Sequence, residues 1–95
     1  MLEFNLKDLR KSLDILDEIL ILLLAERFRV TDKIGDFKAA NLLPAEDKRR
    51  EREKLSSLKE KAASVGVDEE LVENIYRLIF ERVKKRHRQK AKDRR

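Results

Sequence analysis

The sequence predicts an all-α protein of three helices, the first of them very long, and three observations carry that prediction. Apolar residues recur at helical spacing from Leu6 to Phe37. The 95 residues hold only two glycines and one proline. The breaks in pattern fall in just two short stretches, Asn41-Leu42-Leu43-Pro44 and Ser64-Val65-Gly66-Val67. A chain of this length and a composition rich in Leu, Lys, Glu, Arg and Ala fit one small helical domain.

The first helix is expected from Asn5 to about Asn41. Leu6, Leu9, Leu13, Leu16, Leu20 and Leu23 form one stripe, and its spacing continues through Arg27, Val30, Ile34 and Phe37. A helix of that length is roughly 55 Å long, more than a single small domain can cover. The stripe therefore needs a partner, and a second copy of the chain is the simplest supply. Pro44 suits the first turn of a second helix, expected over about 45–64 and anchored by Leu55, Leu58 and Ala62. Gly66 is placed to terminate it. Asp68 is the expected N-cap of a third helix running from about Glu69 toward residue 88, with Val72, Ile75, Tyr76, Ile79 and Val83 inward. The domain is assigned to residues 1–88, and residues 89–95 are read as a basic C-terminal tail.

Charge and composition exclude several classes. The net charge is +5, from 24 Lys and Arg against 19 Asp and Glu, with charged residues making up 45% of the chain. Nine of the basic side chains lie in 82–95 with one acid, Asp93; the remaining 15 basic and 18 acidic residues give positions 1–81 a net charge of −3. The surplus thus belongs to the C-terminal end, where cations complement a helix dipole. No aromatic residue is interleaved there for base stacking, which argues against a nucleic-acid arm. The absence of cysteine excludes disulfides and thiolate metal sites, and a single histidine cannot build a transition-metal site. The apolar run Ile19–Ala25 is far too short to span a bilayer, and no secretory leader is visible, so a soluble cytoplasmic protein is expected.

Polar residues interrupt the apolar faces. Arg27 sits in the seam between Leu23 and Val30. A cation there must pair with a carboxylate, Glu51 being one option, or bind an anion. Lys38 lies 11 residues on and points the same way, roughly 16 Å along the axis. Asp47, Arg50, Glu51 and Lys54 share one face of the second helix, and for Lys54 an exposed ion-pair ladder suffices. His87 continues the row Ile75, Ile79, Val83 and is expected at its edge. Together these residues predict a helical bundle whose interior suits a small, multiply anionic ligand clamped by Arg and Lys.

Read in order, Leu9-Arg10, Leu16-Asp17, Leu24-Ala25-Glu26-Arg27, Lys33-Ile34-Gly35 with Lys38, and Pro44 with Asp47 and Arg50-Glu51 resemble the all-helical, type II chorismate mutases over about residues 5–88. The resemblance implies an intertwined homodimer in which two long first helices pair. It also implies an isomerase of aromatic amino-acid biosynthesis that rearranges chorismate to prephenate without cofactor or metal. By resemblance, Arg27 and, from the other subunit, Arg10 hold the two carboxylates, and Lys38 bonds the ether oxygen and a carboxylate. Glu51 and the backbone near Asp47 take the ring hydroxyl, with Arg50 shaping that wall.

Two positions depart from the family pattern. Val83 stands where a small hydroxyl residue is expected, and His87 stands where Gln or Glu supplies a second donor to the ether oxygen. A neutral imidazole donates from one nitrogen and an imidazolium from both, so the resemblance implies an acid-favouring activity. The catalytic set expected is thus Lys38, Arg27, Glu51 and His87. Arg10, Asp47, Arg50 and Val83 complete the substrate contacts. An isochorismate-pyruvate lyase of the same fold and a non-catalytic helical dimer binding nucleic acid through its basic tail are the alternatives.

Overall fold

The computed structural model describes residues 5–94 and contains three α-helices, α1 (Leu6–Ala40), α2 (Lys48–Ser64) and α3 (Glu69–Asp93). Met1–Phe4 and Arg95, assigned from sequence to the domain and the tail respectively, lie outside the described residues. Contacts divide the chain into two compact units, one ending at Val30 and the other beginning at Thr31.

The first unit is the longer part of α1. Asn5 caps it, its side-chain oxygen accepting from the Asp8 amide at 2.9 Å. Glu26 and Arg29, one turn apart, form an exposed ion pair. The leucine stripe lies open to solvent in the single chain: Leu6, Leu9, Leu13, Leu16, Leu20 and Leu23 are each between 46% and 61% exposed. Ile15, Ile19, Ile21 and Leu22 are exposed as well. Among the described residues of this unit, none covers the face that periodicity marks as inward.

In the second unit α2 packs on α3. Ala39, Leu55 and Ala62 are its buried apolar residues, the latter two sharing a face of α2. Tyr76 and Phe80, four residues apart on α3, stack at a tilt with centroids 6.0 Å apart. The Lys59 ammonium bridges to Glu73 at 3.3 Å across the pair of helices. The last turns of α1 join α3 through three side-chain links. Arg86 forks onto the Asp32 carboxylate (Nε to Oδ1, 2.8 Å), Lys90 reaches Asp36 at 2.7 Å, and His87 meets the Thr31 carbonyl at 2.8 Å. The Arg86 hydrogen bond holds the Asp32 carboxyl below the usual carboxylate range.

Several sequence expectations change in detail. Pro44 does not start α2. Asp47 does, as N-cap, because its carboxylate accepts from the Arg50 amide at 3.0 Å and satisfies a donor that proline could only omit. Asp68 caps α3 as expected, accepting from Glu70 and Leu71. The helix itself continues past residue 88 to Asp93. Ile75 is 44% exposed rather than inward, and the buried residues of α3 are Lys84 and His87. His87, expected at an edge, is 4% exposed.

Both interhelical turns use the same hydrogen bonds with different residues at the critical position. After α2, the Gly66 and Val67 amides bond back to the Ala63 and Ala62 carbonyls, with Gly66 at φ +74°. After α1, the Leu42 and Leu43 amides bond back to Ala39 and Lys38, with Leu42 at φ +55°. This is the Schellman closure, whose left-handed residue is ordinarily glycine because a Cβ there crowds the backbone. Leu42 is 94% exposed, so its side chain contributes no packing in exchange within the chain. Leu42→Gly is accordingly expected to stabilise the protein by about 0.5–1 kcal/mol, read by urea unfolding at fixed protein concentration. A loss of stability would show that Leu42 makes contacts beyond this chain.

Candidate active site

The last turn of α1 directs Lys38 at the α1–α2 connection, where its half-buried ammonium donates to the Ala45 carbonyl at 3.4 Å. The next residue, Glu46, faces α3. Its carboxylate receives the Lys84 ammonium at 3.5 Å and lies 3.9 Å from the Arg88 guanidinium. Lys84 in turn lies 3.3 Å and 3.5 Å from the two oxygens of Glu51, on the first turn of α2, and 2.8 Å from Glu81 on its own helix. A continuous polar run thus links Lys38, the Ala45–Glu46 backbone, Lys84 and Glu51. Beside it, between α2 and α3, lies a half-open cavity of about 430 Å³, lined by the carboxylates Glu46, Glu51 and Glu81, the cations Lys48, Arg52, Arg77 and Lys84, and the apolar Leu55 and Phe80.

Lys84 is 8% exposed, and a buried ammonium requires compensating charge. The hydrogen bond to Glu81 is the largest influence on it and favours the charged form. Burial opposes this, the hydrogen bond and charge of Glu51 reinforce it, and the net direction is upward from the ordinary lysine value. The Glu81 carboxyl is held correspondingly low, chiefly by the same hydrogen bond.

The residues expected from sequence are distributed as follows. Arg10 and Arg27 belong to the first unit, Arg10 exposed and Arg27 half-buried. Lys38, Asp47, Arg50, Glu51, Val83 and His87 belong to the second. Lys38 and Glu51 stand at opposite ends of the polar run and line different cavities, Lys38 one with Ala39, Leu42, Leu43, Ala91 and Arg94, Glu51 the one beside Lys84. Asp47 is engaged at the α2 cap through both side chain and backbone, its Oδ1 accepting from the Arg50 amide and its carbonyl from the Glu51 amide, each at 3.0 Å. Arg50 is exposed and Val83 half-buried. His87 donates to the Thr31 carbonyl, an acceptor only, so its Nε2 carries the proton; Nδ1 is buried and has no partner among the described residues. Neutral His87 therefore has no hydrogen left to offer a ligand, and only the imidazolium could donate from Nδ1.

In the sequence Lys84 is hidden within the basic run at 82–95. A signal for it exists. Tyr76, Phe80, Lys84, His87 and Ala91 follow one another at i+4 and i+3 spacing, and all five are at least half-buried. The lysine and histidine continue an aromatic row into the helix that composition alone would assign to solvent.

The family model for chorismate mutase type II matches residues 9–88, the greater part of the chain. The chain belongs to the chorismate mutase type II family. Three relatives are similar to most of this chain. A T-protein of Enterobacter agglomerans is 32% identical over 76 residues, covering 80% of this chain and 20% of that protein. A T-protein of Haemophilus influenzae is 35% identical over 72 residues, covering 76% and 19%. The bifunctional chorismate mutase/prephenate dehydratase of Aquifex aeolicus is 36% identical over 79 residues, covering 80% and 22%. The chain thus spans about a fifth of the length of these curated relatives. Among the described residues, no helix is long and apolar enough to cross a membrane.

Proposed function

We propose that this chorismate mutase type II domain, assigned to residues 1–88 with 89–95 as a basic extension, catalyses the rearrangement of chorismate to prephenate as a cytoplasmic homodimer. One observation carries the reading: the family match over 9–88 spans the whole expected set from Arg10 to His87. The reaction breaks the ether C–O bond and forms a C–C bond within one molecule, so it asks the protein for positioning and charge rather than for a nucleophile. Arg27, with Arg10 of the partner subunit, would clamp the two carboxylates bidentately. Lys38 would meet the ether oxygen as negative charge develops on it. Glu51, with the backbone at Asp47, would accept the ring hydroxyl, and Arg50 would border the same wall. Val83 offers that site only an apolar surface, and His87 contributes a donor only as the imidazolium.

The dimer reading is supported by the leucine stripe of α1, which is exposed in the single chain and needs an apolar partner of equal length. The basic run gives less support to nucleic-acid binding, since Lys84, Arg86, Arg88 and Lys90 all engage carboxylates of the same chain.

The deciding experiment incubates the purified protein separately with chorismate and with isochorismate. Prephenate from chorismate, and no salicylate from isochorismate, is the expected result. Salicylate formation would assign the lyase instead, and inactivity on both would overturn the enzymatic reading. Sedimentation in the same buffer is expected to give twice the chain mass.

A further inference from the structure

We propose that Lys84 is a positioning residue for the rearrangement, holding the Glu51 carboxylate in the orientation that receives the substrate hydroxyl. The inference rests on the chorismate mutase reading given above and adds a residue to it. The geometry is specific. The ammonium stands 3.3 Å from one Glu51 oxygen and 3.5 Å from the other, so it restrains rotation of the carboxylate rather than merely lying near it. It reaches Glu51 from α3, across the cavity wall, and is itself nearly excluded from solvent. Glu46 and Glu81 hold it from two further directions, 3.5 Å and 2.8 Å away, the former on the connection that also carries the acceptor of Lys38.

The arrangement has a reason in electrostatics. Glu46, Glu51 and Glu81 converge on one point, and without a central cation their mutual repulsion would turn the carboxylates outward. Arg88 lies 3.9 Å from the second oxygen of Glu46 and its charge also acts on Glu81, and Lys48, Arg52 and Arg77 line the same cavity, but among the described residues it is Lys84 that is ion-paired with Glu51. A displacement of Glu51 by about 1 Å would be felt in turnover, since misplacing a positioned group by that distance costs on the order of 100-fold.

The test compares the wild type with Lys84→Met, Lys84→Arg, Glu51→Gln and the Lys84→Met/Glu51→Gln pair in steady-state turnover of chorismate. Lys84→Met is expected to lower kcat/KM by about 10- to 100-fold, and Lys84→Arg, which keeps a cation facing the Glu51 carboxylate, to recover at least about threefold of that loss. Once Glu51 is already Gln, removing Lys84 is expected to change kcat/KM by less than about threefold, because the two act through one group. Should Lys84→Met fail to fold, the triple variant with Glu46→Gln and Glu81→Gln removes the excess charge and carries the same comparison. Equal losses from Lys84→Met with and without Glu51 would mark a purely structural lysine and overturn the proposal. So would wild-type turnover by Lys84→Met. A wild type inactive on chorismate would overturn the functional reading as well, so the two failures are told apart by the wild-type rate.

Discussion

Lys38→Ala is expected to lower kcat/KM for chorismate by about 1,000-fold, an effect of about 4 kcal/mol on the barrier. The expectation follows from where charge moves in the proposed reaction. As the ether bond breaks, its oxygen gains negative charge that the ground state lacks, so a fixed cation there favours the transition state over the substrate. The ammonium is half-buried in the last turn of α1 and held by the Ala45 carbonyl, a neutral acceptor that leaves its charge uncancelled at that contact. Most of the loss should fall on kcat. Lys38→Arg should recover little of it, because a planar fork cannot replace a compact point charge. A parallel melting curve separates this from unfolding, since the single bond to Ala45 contributes only about 1 kcal/mol. A Lys38→Ala enzyme within tenfold of wild type would remove Lys38 from the catalytic set.

Gly35→Ala is expected to destabilise the protein by about 2 kcal/mol, although alanine is the better helix former. A Cβ at position 35 would stand 2.5 Å from Cδ2 and 3.0 Å from Nε2 of His87, and 2.9 Å from Cδ of Lys90. The lysine chain can swing aside. The imidazole cannot, being 4% exposed and bonded to Thr31. Overpacking typically costs about 1–3 kcal/mol and the lost ring hydrogen bond about 1, against a gain of about 1 from helix propensity. Urea unfolding at fixed concentration measures the net change. In a His87→Ala background only the Lys90 chain still stands close, and the same substitution should cease to be destabilising. If Gly35→Ala stabilises the protein with His87 in place, the close approach of α3 is not what the glycine serves.

These two positions show what kind of information a sequence carries openly. Lys38 is visible in it as a cation on the inward stripe, whereas Gly35 appears only as part of the Lys33-Ile34-Gly35 stretch, with nothing local to show what approaches it. The helix ends were legible where the signal is local. Asp68 accepts from amides two and three residues on, and Gly66 donates its own amide to a carbonyl three residues back, as the sequence predicts. Pro44 does not mark the helix start because Asp47, three residues on, offers the new helix a hydrogen bond. Lys84 and His87 were the hardest to read. Their burial depends on α2 and on the end of α1, 33 and 56 residues away in sequence, and a run of nine basic side chains concealed which of them face inward. The family resemblance identified the expected substrate contacts, yet it had no place for Lys84.

The open leucine stripe of α1 also bears on how such an enzyme would respond to dilution. In the proposed dimer each site borrows Arg10 from the neighbouring copy, so a lone chain has no complete site. At concentrations well below the dissociation constant the fraction of complete sites falls in proportion to total chain, and the number of sites with its square. Specific activity would then be a property of the solution rather than of the molecule. The same association shields an apolar face that a separated chain must leave in water, so loss of activity on dilution and loss of resistance to heat would follow one curve.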